Sequence, residues 1–126
     1  MELWKARRDD VEFFVVYIRE AHATDSAWPM TDPESPFVEE PLHAAERLAV
    51  AQRCMSALAL RPIPALVDGI DNRVDTAYEA WPDRLYLVDR AGRIAYRSAP
   101  GPFGFKPEEL ADSISREIGR ERSTNP

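Results

Sequence analysis

Glu20 and His22 stand two residues apart, just past an unbroken apolar run from Phe13 to Ile18. An imidazole near a carboxylate is a candidate acid/base pair, because the imidazole exchanges its proton near neutral pH and the carboxylate tunes that exchange. A plainer reading stands beside it: a loop histidine bonded to backbone, and a solvated Glu20 next to Arg19. Asp25 follows closely. Cys54 is the sole cysteine. It is a candidate resolving thiol or nucleophile, but it falls on a helical stretch at the edge of an apolar stripe, where small cysteines are usually inert. His22, His43, Glu20 and Asp25 lack the tight spacing of metal ligands, and His43 fits better as a polar residue opening a helix. Neither a metal nor a cofactor is expected.

The elements that position these groups follow from periodicity. Residues 1–10 (MELWKARRDD) read as the end of a helix, with Leu3, Trp4 and Arg7 at helical spacing and no capping residue. Residues 11–18 read as a strand, and the run Phe13 to Ile18 predicts burial on both faces. In open α/β sheets the chemistry sits just past the carboxyl ends of the strands, which is where Glu20 and His22 fall. Residues 23–41 form a long proline-rich loop carrying Trp28 and Phe37, either functional or a surface spacer. Residues 42–60 predict a helix with the stripe Ala44, Leu48, Ala51, Met55 and Leu58, ended by Arg61-Pro62. A short strand at 63–67 leads through Asp68-Gly69 and Asp71-Asn72 turn chemistry to a short helix over 73–80, with Val74, Ala77 and Tyr78 inward. Residues 84–88 and 93–97 pair as a hairpin with Gly92 in the left-handed position. The loop 98–105 is rich in glycine and proline, Pro107 opens a last helix with Leu110, Ile114 and Ile118 as its core stripe, and a frayed tail is expected over 120–126. Strand–helix alternation closed by a hairpin and a helix describes an α/β chain, specifically the carboxyl-terminal part of a thioredoxin-like fold.

With 126 residues, one domain with its own core is expected. The net charge of −6 argues against nucleic-acid partners and anionic membranes. No apolar run reaches the ~20 residues that a membrane helix needs. A lone cysteine excludes an internal disulfide framework, so a cytoplasmic location is the expectation.

Five segments in series carry a family resemblance: FFVVYIREAH at 13–22, ERLAVA at 46–51, VDGIDNRVDTAY at 67–78, WPDRLYLVDRAGRIAYR at 81–97 and GPFGF at 101–105. In order and spacing the chain resembles the iodothyronine deiodinase family, in particular its bacterial deiodinase-like relatives within the thioredoxin/peroxiredoxin fold. The resemblance implies an oxidoreductase in which a selenocysteine or cysteine attacks an electrophilic atom, iodine on thyroid hormone in the animal enzymes. It implies His22 as the catalytic histidine and Glu20 as its neighbouring glutamate. Asp25, Trp28, Pro82 and Phe103 are the implied substrate-cleft residues, with Pro82 where thioredoxin-fold proteins place a cis-proline. Two departures stand out. The Gly-Trp that usually follows the acidic position is Ser26-Ala27-Trp28 here. An arginine that the animal enzymes carry before the Gly-Pro of the last loop is Pro100, so the resemblance leaves the substrate open.

The resemblance also implies a nucleophile on a strand–turn–helix unit ahead of residue 11. In the thioredoxin topology that strand is central, between the strands at 11–18 and 84–88. The expectation is therefore an N-terminally truncated domain: a fragment, a misassigned start (for instance after a selenocysteine codon read as stop), or a chain completed by a partner. The expected partners are a thiol reductant or a small-molecule electrophile, with homodimerisation through the open sheet edge. The alternative is a non-catalytic thioredoxin-like binding module.

Overall fold

The computed structural model describes residues 1–19 and 41–124. Helices and short strands alternate in the order α1 (Glu2–Arg7), β1 (Val15–Tyr17), α2 (Ala44–Ala57), β2 (Ala65–Val67), α3 (Arg73–Tyr78), β3 (Tyr86–Val88), β4 (Ile94–Arg97) and α4 (Pro107–Thr124). Two compact units form, one from Met1 with Glu12–Trp81 and one from Glu2–Val11 with Pro82–Pro126. Each holds one two-stranded sheet, β1–β2 and β3–β4. Neither sheet has a third strand among the described residues.

In the first unit β1 and β2 run parallel, in the register Val15↔Ala65, Val16↔Leu66 and Tyr17↔Val67. Parallel neighbours need a long crossover, and α2 lies within it and packs against β2. The expected burial of both faces is corrected here. Phe14 is 53% exposed, and Val16 and Leu66 are exposed with it, while Phe13, Val15 and Tyr17 are half-buried. With one strand neighbour and one helix layer, only one face is covered.

The buried row of α2 also differs from the expected stripe. It is Arg47, Ala51 and Met55, at helical spacing of four, whereas Ala44, Leu48 and Leu58 are exposed. Arg47 is only 1% exposed, and its Nη1 donates to the Gly69 carbonyl at 2.7 Å. That bond turns the arginine row inward and rotates Leu48 to solvent. The helix stops before Arg61-Pro62, because Ala59 adopts a left-handed φ of 52° and the Leu60 N–H reaches back to the Met55 carbonyl at 3.0 Å. At the end of α3, Glu79 does the same with φ 48°, and the Ala80 N–H bonds the Asp75 carbonyl. In α3 the buried residue is Asp75; Ala77 and Tyr78, expected inward, are exposed, and Val74 is half-buried.

In the second unit the hairpin forms as expected. Asp89 Oδ1 accepts the Ala91 and Arg93 N–H groups, both at 2.9 Å, and Gly92 takes φ 80°. A register shift between Leu87 and Val88, with Leu87 opposite Tyr96 and Val88 opposite Ile94, leaves Ala95 as an extra residue in β4. α4 packs on both strands through Leu110 and Ile114, which with Leu87 form the buried apolar core of this unit, and Ile118 is half-buried. Tyr96 Oη donates to Glu109 Oε2 at 3.0 Å, and Arg7 Nη2 donates to Ser115 Oγ at 2.8 Å, tying β4 and α1 to α4. The tail expected from Arg120 is instead helical through Thr124. Pairing of Arg120 with Glu117 and of Arg90 with Glu121 supports this last stretch.

Two stability outcomes follow. Met55→Ala lowers the unfolding free energy by about 2–4 kcal/mol, whereas Leu48→Ala changes it by less than ~0.5 kcal/mol, as read by urea denaturation. Ala59→Gly, usually a harmful change in a helix, raises stability by about 0.5–1 kcal/mol because the left-handed cost of alanine is removed.

The Tyr96 phenol ionises above the ordinary value of 10.0, through burial first, then its hydrogen bond and charge repulsion from Glu109, then Glu108. The raised value means the neutral phenol contributes stability below pH 10 that is lost as pH rises through the folded value. Glu109→Gln brings the Tyr96 ring resonances to titrate at lower pH; an unmoved titration would contradict this cause.

Candidate functional site at the carboxyl ends of the parallel strands

The parallel register brings the carboxyl ends of β1 and β2 to one edge, and four charged side chains gather there: Arg19, Arg47, Asp68 and Asp75. Asp68 directly follows β2. Its N–H donates to the Tyr17 carbonyl at 2.8 Å, extending the ladder by one residue. Its carboxylate then turns onto α3, Oδ1 accepting the Val74 N–H and Oδ2 the Asp75 N–H, both at 2.9 Å. Helix starts leave N–H groups without intrahelical partners, and this buried carboxylate satisfies two of them. Asn72 precedes α3 in a left-handed conformation that asparagine tolerates, so its own side chain does not cap the helix.

Asp75 is 4% exposed and carries the second buried carboxylate. Oδ2 accepts from Arg19 Nε at 2.8 Å and Oδ1 from the Trp81 N–H at 3.1 Å. The Arg19 guanidinium carbon lies 5.0 Å from the Trp81 ring centroid, a cation–π arrangement. A buried carboxylate is tolerated only when paired, and here a cation and a backbone donor take one oxygen each.

Glu20, His22, Asp25 and Trp28 lie outside the described residues. The chain passes to Glu20 directly from the clamped Arg19. Pro82 and Phe103 belong to the second unit. Pro82 is half-buried and precedes Asp83, whose carbonyl accepts the Gly101 N–H at 3.0 Å. A Cβ on Gly101 would displace the Asp83 carboxylate. Buried Ser98 locks the same junction: its N–H donates to the Leu85 carbonyl and its Oγ accepts the Leu85 N–H, both at 2.9 Å. The structure thus brings the Pro82 segment and the 98–105 loop together. Phe103 stands at the loop tip and is 90% exposed. Trp81-Pro82 is not a cis bond; among the described residues the cis peptides are Arg61-Pro62 and Gly101-Pro102.

Cys54 is half-buried on α2, and His43 sits exposed at the start of that helix without a side-chain cap bond. Among the described residues no group of three His, Cys, Asp or Glu side chains is placed to hold a metal ion, and no helix is long and apolar enough to cross a membrane. Sequence reasoning missed Arg19, Arg47, Asp68 and Asp75 as a set. Asp68 had a legible signal, a carboxylate after a strand and shortly before a helix. Asp75 and Arg47 had none, since charged residues on helices ordinarily face water.

A crossover of parallel strands followed by a hairpin and a helix defines an α/β protein. The iodothyronine deiodinase profile matches residues 2–117, and the chain belongs to that family. It is 32% identical over 105 residues to a type I iodothyronine deiodinase of Xenopus laevis, covering 83% of this chain and 39% of that protein. It is 36% identical over 106 residues to a type II iodothyronine deiodinase of Petromyzon marinus, covering 79% of this chain and 33% of the relative. A thyroxine 5-deiodinase of Sparus aurata is 38% identical over 113 residues, 86% of this chain and 39% of its own length. The chain thus spans little more than a third of the curated relatives it matches, and these three come from vertebrates.

Asp68→Ala leaves two helix-start N–H groups without their acceptor and costs about 1–3 kcal/mol, whereas exposed Asp71→Ala costs less than ~0.5 kcal/mol. Amide exchange at Val74 and Asp75 should quicken selectively in the first variant; unchanged exchange there would remove the capping role.

Proposed function

We propose that the chain is part of a deiodinase-like oxidoreductase of thioredoxin-like fold, working by thiol or selenol redox chemistry. The observation that carries this reading is the family match across nearly the whole chain, residues 2–117. The order of a parallel crossover followed by a hairpin and a helix supports the thioredoxin-like assignment. In this reading a thiolate or selenolate attacks the electrophilic atom of the substrate. A bond forms from sulfur or selenium to that atom, the bond from that atom to carbon breaks, and the carbon takes the proton held by His22. Glu20 tunes that imidazole. One reductant thiol then displaces the captured atom as halide, forming a mixed sulfur–sulfur or selenium–sulfur bond, and a second thiol cleaves that bond, releasing the nucleophile and a disulfide.

Cys54 suits the nucleophile's role poorly, because it is half-buried in the last turn of α2, on the side of the chain that leads into the start of β2. We place the nucleophile on sequence outside these 126 residues. A second reading, a non-catalytic module that pairs with a second copy through its sheet, is favoured by the exposed apolar face of Phe14, Val16 and Leu66.

The test compares the chain as given with the coding frame extended upstream, assayed for thiol-dependent release of halide from a halogenated phenol. The chain alone should be silent, with or without Cys54→Ser. The extended protein should turn over, and His22→Ala should lower kcat by about 10²-fold or more. Turnover by the chain alone that survives Cys54→Ser and depends on His22 would refute the placement of the nucleophile. A silent extended protein that sediments as a dimer would favour the module.

A further inference from the structure

We infer that Arg19 is a preorganised receptor for a carboxylate at the carboxyl edge of β1 and β2, held in place by Asp75 and Trp81. Its side chain is half-exposed, and among the described residues its engaged nitrogen is Nε, held by buried Asp75 at 2.8 Å. The guanidinium carbon lies over the Trp81 ring, 5.0 Å from its centroid. Neither terminal nitrogen donates to another described residue. An arginine anchored through Nε and stacked on an indole presents its terminal N–H groups as a fixed fork, and that fork matches the two oxygens of a carboxylate.

The charge balance at this edge points the same way. Both oxygens of Asp75 already hold a donor, Arg19 Nε and the Trp81 N–H. Both oxygens of Asp68 do too, the Val74 and Asp75 N–H groups. The carboxylates are turned inward onto backbone and clamp, while the outward-facing group is cationic. Ordering the fork costs a ligand little, because the protein has already restricted the long arginine side chain. A free surface arginine lacks both restraints.

This deepens the proposed oxidoreductase reading by naming a group its substrate would carry, and it rests on that reading only in taking the ligand for the substrate. Binding can be measured on the chain as given, without turnover, so the two fail separately. In a Trp4→Phe/Trp28→Phe background Trp81 is the sole indole. Sodium benzoate at constant ionic strength should quench its emission saturably. Arg19→Lys, which keeps the charge and loses the fork, should weaken the response about tenfold, and Arg19→Gln should abolish it. Inorganic phosphate should bind more weakly than benzoate. As a check independent of variant folding, benzoate should shift the Arg19 side-chain nitrogen resonances in the unaltered chain. Linear quenching, an equal response in Arg19→Lys, stronger binding of phosphate, or unmoved Arg19 resonances would each overturn the assignment.

Discussion

Two carboxylates buried seven positions apart constrain the first unit more than its apolar residues do. Asp68 and Asp75 must each find donors or the unit does not form, because an unsolvated charge costs several kcal/mol. Their solutions interlock. Asp68 needs the first turn of α3, and that turn carries Asp75. Asp75 needs Arg19 and the backbone at Trp81, so the exit of β1 and the residue that closes the unit are both committed to it. Apolar contribution is thin by comparison: among the described residues of this unit the buried apolar side chains are Pro41, Ala51 and Met55. A polar lattice therefore fixes where the chain leaves the sheet toward Glu20 and His22.

That arrangement explains which parts were legible in the sequence. Element types and order could be read from periodicity, turn residues and proline positions. The Asp89–Gly92 turn and Pro107 at the start of α4 are local signals, complete within a few residues. Facing was misjudged where a charged residue turned inward: Arg47 displaced Leu48 from the buried side of α2, and Asp75 displaced Ala77 and Tyr78 on α3. Hydrophobic pattern ranks such residues as solvated, and only their tertiary partners reverse the ranking. The apolar run Phe13 to Ile18 misleads in the opposite sense, since its composition fits two-sided burial while one face stays open. Of the candidate residues, Pro82 and Phe103 fall on segments that the Gly101–Asp83 backbone bond joins, whereas the clamp on Arg19 depends on the burial of Asp75, which sequence pattern does not signal.

The family relationship and the local physics bear on different residues. The acid/base pair we propose is Glu20 and His22, whereas the geometry of the described residues singles out Arg19, Asp68, Asp75 and Trp81. The two sets meet at the peptide bond between Arg19 and Glu20.

The bulged hairpin and its helix have a bearing on the order in which the protein assembles. Tyr86 to Arg97 closes over a short turn, and α4 follows within the next stretch of chain, so the loop entropy of this assembly is small. Pairing Val15 with Ala65 instead encloses α2 and the whole 20–40 segment before any ladder bond rewards the closure. The hairpin and α4 are thus the natural early nucleus, and the edge that carries the clamped arginine is assembled late. During synthesis that edge has its strands first but waits for α3 and Trp81 before Arg19 can be clamped.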